Sequence, residues 1–355
     1  MKQTFVLTTA VVFLAVAVPL GMLINAQVRK ELSGKGEGSP GEGRQIQAGD
    51  YRVSGPYKHK NLAIFLIHGK SLAEGKTFLT LQEALEQKKV VVYETKDVNE
   101  LAVENLSNED VYVQSGDIVK GGQQDRMLAV DLIVPPKSGK MPIAAFCVEH
   151  GRWSRRGNEQ ASVFTSSADV AASKDLKLAA KRANSQGAVW ETVTVTQDKL
   201  SENVGTRVNS TVSESSLQLA VENRKVQDSA EGYIKALANI VNGQNDVIGY
   251  AFAINGKVNS ADVYASSALF IKLWPKLLKA NAIEAIAEQQ GSKFEPTTVD
   301  IVKEFLSEAE SGNATEKEVT ARVRLVTRED AKNIFFETRD HAQKEAWIHR
   351  NYIRK

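Results

Sequence analysis

Cysteine is almost missing from this chain: its 355 residues carry one, Cys147. That excludes an internal disulfide framework and every metal site built from several thiolates. An excess of one charge is missing too. Lys and Arg total 45 against 43 Asp and Glu, so nothing draws the whole molecule to nucleic acid or anionic lipid. Any anion site has to be local. Histidine is scarce. His59, His68, His150, His341 and His349 form no HExxH or other close ligand pair, so a metal would have to gather ligands from across the fold. No internal repeat is present. What remains is ordinary: 42% hydrophobic and 25% charged residues describe a folded globular protein. The length suffices for one large core or two modest ones.

The N-terminus does not read as part of the fold. Lys2 precedes an almost wholly apolar run from Phe5 to Ile24. Its length is about that of a bilayer span and long for a signal-peptide core. Ala26, with aliphatic Ile24 two positions before it, resembles a signal-peptidase site. Residues 1–26 are therefore either a cleaved signal peptide or an uncleaved membrane anchor. Both place the body outside the cytoplasm, in the periplasm or extracellular space. Residues 27–50 read as a flexible linker, rich in glycine between Ser33 and Gly49 and without core-forming side chains.

Residues 51–355 read as one α+β domain. Its N-terminal half, to Glu149, is β-rich and antiparallel, a sandwich or curled sheet. Strands are predicted at Asn61–Ile67, Lys89–Glu94 and Pro142–Phe146, with a helix over Thr80–Lys88. One hairpin is expected to join Leu101–Leu106 to Val111–Gln114. Another is expected to join Asp117–Lys120 to Met127–Val134. Residues 154–187 are polar, with one helix predicted over Ala171–Ala183 in an otherwise mobile stretch. Ala188–Thr194 is either a strand or the entry to a helix. Helices follow over Ser213–Val241 and over Ala265–Ala287, the second interrupted at Pro275. Asn255-Gly256 is the strongest hairpin turn in the chain, joining Val247–Ile254 to Lys257–Tyr264. The tail adds strands at Thr320–Val326, Asn333–Thr338 and Glu345–Ile353.

Gly69-Lys-Ser-Leu-Ala-Glu-Gly75-Lys76-Thr77 imitates a phosphate loop between a strand and a helix. Five residues separate the glycines where four are required, and Glu74 would face the phosphate oxygens, so it reads as an exposed turn.

The densest chemistry lies in Phe146-Cys147-Val148-Glu149-His150-Gly151-Arg152-Trp153, followed by Arg155 and Arg156. If the strand stays extended, Cys147 and Glu149 share one face. Phe146 and Val148 then turn to the core, and thiol and carboxylate look out where Gly151 breaks the strand. Nearby guanidiniums favour a thiolate and offer bidentate donors to phosphate or carboxylate. A lone cysteine is otherwise a small buried hydrophobe. Trp153 is otherwise a core anchor, and Arg155 and Arg156 belong to a solvated loop. A second cluster is Gly121-Gly122-Gln123-Gln124-Asp125-Arg126. Its glycine pair would let backbone N–H groups approach a ligand. The plainer reading is a hairpin loop with a salt bridge.

Together, Gly121-Gly122-Gln123, Arg126 and Cys147-x-Glu149-x-Gly151-Arg152-Trp153 resemble the ARG and rhodanese-phosphatase-superfamily-associated protein domain, where ARG denotes ADP-ribosylglycohydrolase. The resemblance runs from about Tyr51 to the C-terminus. It includes Val189-Trp190, the Asn255-Gly256 hairpin and Leu269-Phe270 with Trp274-Pro275. It implies a role in NAD or ADP-ribose metabolism and points to Gln123, Arg126, Cys147, Glu149, Arg152 and Trp153. The export segment departs from that picture, because it removes the body from the cytoplasmic NAD pool.

Two readings follow. In the first, Arg126 and Arg152 hold a phosphorylated, ADP-ribose-like or other nucleotide-like ligand, with Gly121, Gly122 and Gln123 beside it. Glu149 is general acid or base with a raised pKa, Cys147 is nucleophile or polar wall, and Trp153 stacks on a ring. In the second, the chain is a non-catalytic extracytoplasmic binding module. No cofactor is identified, and membrane contact is expected only through an uncleaved N-terminal segment. Geometry separates the two. A site requires Cys147 and Glu149 to face a pocket shared with Arg126 or Arg152; Glu149 closed into an ion pair in the core makes the motif structural.

Overall fold

The computed structural model describes residues 50–72, 77–291, 293–343 and 346–355, without the side chains of 168–171. The expected signal or anchor, all but the last residue of the linker, and the Gly75-Lys76 end of the phosphate-loop imitation lie outside the described residues. Among those described, no helix is long and apolar enough to cross a membrane.

The first half holds strands β1 (Arg52–His59), β2 (Leu62–His68), β3 (Leu79–Thr80), β4 (Val90–Glu94), β5 (Glu100–Asn105), β6 (Val111–Val113), β7 (Asp117–Gly121), β8 (Arg126–Leu128), β9 (Leu132–Val134) and β10 (Lys140–Cys147). One helix, α1 (Leu81–Glu86), interrupts them. The second half alternates β11 (Phe164–Ala171), α2 (Lys174–Lys181), α3 (Gln186–Val204), α4 (Leu217–Val221), α5 (Arg224–Leu237), β12 (Val247–Ile254), β13 (Lys257–Tyr264), α6 (Ser267–Ala287), α7 (Val299–Glu310), β14 (Asn313–Glu318), β15 (Val323–Glu329), β16 (Asn333–Asp340) and β17 (Ala346–Arg354). This is the expected α+β class, strand-rich first and helical later.

The largest sheet runs β1-β2-β12-β13-β17-β16-β15-β14, antiparallel throughout. Helices cover both of its faces, which explains why β2 is a continuous apolar run rather than an alternating one. On one face Leu62, Ile64 and Leu66 meet Phe270 and Trp274 of α6. On the other Phe65 and Ile67 meet Val302, Phe305 and Leu306 of α7.

The second sheet, β11-β7-β8-β10-β5-β4, is the expected curled one. A bridge from Tyr93 to Val163 brings its two edges nearly together around Val92, Val103, Leu128, Ile143 and Phe164. A small sheet, β3-β6-β9, completes the set.

Local chemistry explains most elements. Thr80 and Glu83 close a reciprocal capping box at the start of α1. Asn255 and Gly256 both take positive φ, 50° and 75°, as a two-residue turn requires. Ala188–Thr194 resolves as part of α3, and Lys174–Lys181 is the helix expected after Ala171.

Three expectations need correction. The Leu101–Leu106 and Val111–Gln114 strands do not pair. β5 pairs with β4 and β10, and β6 with β3 and β9. The intervening turn is tied down by the Asn105 side chain, which donates to the Glu109 and Val134 carbonyls and sends the chain to another sheet. Likewise Met127–Val134 is split: β8 stays with β7, whereas β9 joins the small sheet. Pro275 does not end its helix either. α6 continues past it, with Trp274 Nε1 donating to the Ala238 carbonyl at 3.0 Å and Lys276 Nζ to Asp117 at 2.7 Å. Tertiary packing outweighs the lost backbone bond.

Candidate functional site

β10 ends at Cys147, and the chain then turns through Glu149 and Gly151 to Trp153. Cys147 and Glu149 are fully buried, not outward-facing. Phe146 and Val148 do turn to the core, beside Ile118 and Met127. The opposite face is covered as well. Gln186 of α3 clasps the Cys147 backbone, accepting from its N–H at 2.9 Å and donating to its carbonyl at 2.8 Å. Trp190 Nε1 donates to the Glu149 carbonyl at 3.2 Å.

Around this turn the charges pair off. Arg152 grips Glu149 in a fork, Nε to Oε1 at 2.6 Å and Nη2 to Oε2 at 2.7 Å. The Asp125 N–H and the Ser213 hydroxyl also donate to that carboxylate. Arg156 grips Asp125 in the same way at 2.9 and 3.0 Å, with Ser216 Oγ donating to Asp125 Oδ2 at 3.1 Å. Arg126, fully buried, donates to the Val98 carbonyl and to Cys147 Sγ, each at 2.7 Å, and reaches Glu94 at 3.3 Å. Trp153 is half exposed and lies over the Arg126 guanidinium, 5.7 Å from it. Arg155 is exposed, as a solvated-loop residue would be.

The Gly121-Gly122 pair has a different use from ligand approach. A Cβ on Gly122 would stand 2.3 Å from the Phe164 ring and 2.9 Å from Glu94 Oε2, at a φ of +56°. The Gly121 N–H donates to Asp125, the Gly122 N–H to the Gln160 carbonyl, and the Gln123 N–H to Glu94. Arg152 reaches both glycine carbonyls at 3.4 Å.

Electrostatics follow this packing. Burial pushes the Cys147 thiol up to about 11, more than the Arg126 charge pulls it down, so no thiolate is favoured. Burial works on Glu149 in the same direction. There the Arg152 fork, the Ser213 hydroxyl and the Asp125 N–H win, and its pKa is lowered rather than raised. Asp125 ends raised, because burial and the neighbouring Glu149 charge exceed the pull of Arg156. Gln123, Arg126, Cys147, Glu149, Arg152 and the two glycines thus come together around one buried node, with Trp153 at its surface.

The sequence profile of the ARPP-1 domain, the ARG and Rhodanese-Phosphatase-superfamily-associated Protein domain, matches residues 50–353. The chain belongs to this family. The matched ARPP-1 region includes every helix described above and every strand but for Arg354, the last residue of β17, so one family match covers both the motif and the fold. Neither a curated protein nor a solved structure was found to be similar to the chain.

The ARPP-1 chain holds a second polar centre that the sequence reading missed. His349 of β17 is buried between two carboxylates, 2.8 Å from Asp131 and 3.0 Å from Asp262. Lys177 of α2 lies 3.9 Å from Asp262, Asn351 donates to it at 2.8 Å, and the Tyr250 hydroxyl approaches it at 3.3 Å. Tyr264 stacks on the His349 ring at 4.6 Å. Both centres leave polar atoms unpaired among the described residues: at the first node these are Gln124 Nε2 and Oε1, Arg126 Nε and Glu159 Oε2. At this one, Tyr112 Oη, Gln114 Nε2, Asn281 Nδ2 and Asn351 Oδ1 are buried without a hydrogen-bond partner. Burial alone would lower the His349 pKa, but Asp131 and Asp262 raise it.

Beside this centre a groove of about 820 Å³ opens between the curled sheet, the end of α2 and strands β14–β16. The Phe146 side of β10 lines it, together with Leu132, Lys181, Lys317 and Phe336; Cys147 and Glu149 do not. Among the described residues no cluster of three His, Cys, Asp or Glu side chains is placed to hold a metal ion. One signal was available in the sequence. Lys174, Lys177 and Lys181 stand at helical spacing on one side of α2.

Proposed function

We propose that this ARPP-1 protein is exported and binds a small phosphorylated or nucleotide-like ligand in the groove over Lys181, rather than at Cys147 and Glu149. The groove itself carries this reading. It has the volume of a small-molecule site, an apolar floor with Phe146 and Phe336, and Lys181 and Lys317 on its walls. Glu318 and Glu329, also on its walls, are already engaged by Arg324 and His341 and by Arg182 and Lys355. Lys181 and Lys317 meet the phosphate, against the charge of Glu100 on the same walls. The Cys-Glu-Arg-Trp node then acts as a frame that fixes the far end of β10. Its guanidiniums are matched by Glu94, Asp125, Glu149 and Glu159, which argues against an anion site there.

The alternative, a binding module without catalysis, gains from the same facts, since the raised thiol and the saturated Glu149 supply no nucleophile and no base. Thermal-shift titration of the body from Gln27 with ADP-ribose, NAD, ribose 5-phosphate and inorganic phosphate tests the ligand. A ligand at a hundred times its Kd adds about 2.7 kcal/mol to the folded state. The shift should vanish in Lys317→Glu and survive in Trp153→Ala; the reverse pattern would return the ligand to the motif, and no shift at all would sink the ligand reading. Mass spectrometry of the mature N-terminus tests export: cleavage after Ala26 gives Gln27 as the first residue.

A further inference from the structure

Helix α2 threads three lysines along a track of buried acids. The backbone N–H of Lys174 lies 3.4 Å from the Glu284 carboxylate, Lys177 Nζ lies 3.9 Å from Asp262, and Lys181, at the end of the same stripe, lines the groove. Lys181 Nζ sits 3.8 Å above the Phe336 ring centroid, the position a cation takes on an aromatic face. Behind it stand Asp131 and Asp262, clasped on either side of His349.

We propose that Lys181 is a nucleophilic amine that forms a Schiff base with an aldehyde or ketone ligand held in the groove. This rests on the groove being the ligand site. The neutral amine attacks the carbonyl carbon, the carbon–oxygen π pair moves to oxygen, and the proton lost from nitrogen reaches that oxygen to give a carbinolamine. Loss of water then gives the imine. One amine and one carbonyl become one imine and one water, with no oxidant or reductant needed. Asp131 stabilises the cationic iminium, and Phe336 offers it a ring face.

The electrostatics suit an amine nucleophile. Burial first, and the like charge of Lys177 second, push the Lys181 ammonium down to about 8 against the pull of Asp131 and Asp262. Arg182 follows on its own helix, Glu100 and Glu329 face the groove from β5 and β15, and Lys317 and Glu318 face it from β14. An amine with a pKa near 8 is neutral at pH 7 in about a tenth of the molecules, some two hundred times more often than an ordinary lysine.

The test is reductive alkylation of the folded chain with propionaldehyde and cyanoborohydride at pH 7, followed by peptide mass mapping. Lys181 should be alkylated at least ten times faster than Lys317, with a rate that rises through about pH 8. In Lys177→Met, with its circular dichroism spectrum unchanged, the rate at pH 7 should fall severalfold, because the like charge is gone. If Lys181 reacts no faster than Lys317 in the wild type, or if the Lys177→Met protein keeps the full rate, the amine is not activated and the inference fails. The aldehyde carries no phosphate. Labelling without phosphate binding overturns only the ligand class proposed above; phosphate binding without selective labelling overturns only the Schiff base.

Discussion

The node at Cys147 and the centre at His349 are both buried, both ionic and about equally rich in titratable groups, yet their carboxylates are paired in different ways. At the first, two arginine forks, two serine hydroxyls and backbone N–H groups saturate Glu149 and Asp125. At the second, two carboxylates share one histidine, and a lysine stands off at 3.9 Å. A carboxylate gripped by a bidentate guanidinium is fixed in charge and place, whereas one that shares a histidine is coupled to a group that can titrate. The difference teaches that density of chemical residue types does not locate chemistry. The richest heptad in the chain is where the chemistry is most thoroughly neutralised.

The widest separation between the two regions should come from deleting a carboxylate in the frame. Glu149→Ala leaves Arg152 buried without its fork, and breaking a buried pair costs about 3–5 kcal/mol. Urea unfolding at pH 7 measures it; a loss below 1 kcal/mol would erase the contrast. Gly122→Ala comes next. The positive φ and the Phe164 ring together should cost roughly 2–4 kcal/mol, read in the same titration.

A pH series then separates the regions by sign. The raised pKa of His349 means its protonated form contributes stability fully below the unfolded value of about 6.5, and this is lost as pH rises through the folded value. Glu149, held low, contributes stability above about 4.3 that is lost as pH falls. Unfolding midpoints should therefore decline on the alkaline side in the wild type. That decline should disappear in His349→Gln while the acid-side loss stays.

Thiol reactivity sharpens the frame side without unfolding it. With a thiol near 11, alkylation of Cys147 by iodoacetamide at pH 8 should run roughly a hundredfold slower than that of a free thiol until urea opens the fold. The smallest effect belongs to the His349 centre. Asn281→Leu removes an unpaired amide at the loss of one long contact to Tyr250, and should change stability by no more than about 1 kcal/mol.

Much of the fold was legible because it is written in local chemistry. Asn255-Gly256 sets a turn whichever sheet receives it, and the apolar run of β2 signals a strand buried on both sides. β14 was not legible: all six of its residues are exposed, and Asn-Ala-Thr-Glu-Lys-Glu shows no alternation to read. α7 was missed although Val302, Phe305, Leu306 and Ala309 keep helical spacing behind the Thr298 cap. At the candidate site, the sequence showed which residues converge but not what they converge on. Ser213, Ser216, Gln186 and Glu94 bond to the node from 32 to 91 positions away, and no spacing rule reports contacts of that range. The His349 centre is harder still, since it joins Asp131, Asp262 and His349 across 218 positions.

β17 follows every other described strand along the chain, yet it is inserted between β13 and β16, in the interior of the largest sheet. Its Arg350 reaches back to the Tyr51 hydroxyl at 2.9 Å, a contact across 299 positions. Loops of that length close slowly. A nascent chain that has not passed residue 354 leaves β13 and β16 as two open edges, each a template for pairing with another molecule. The same strand that carries His349 is thus the one that turns two sticky half-sheets into a closed one, and premature termination in this tail would show itself first as aggregation.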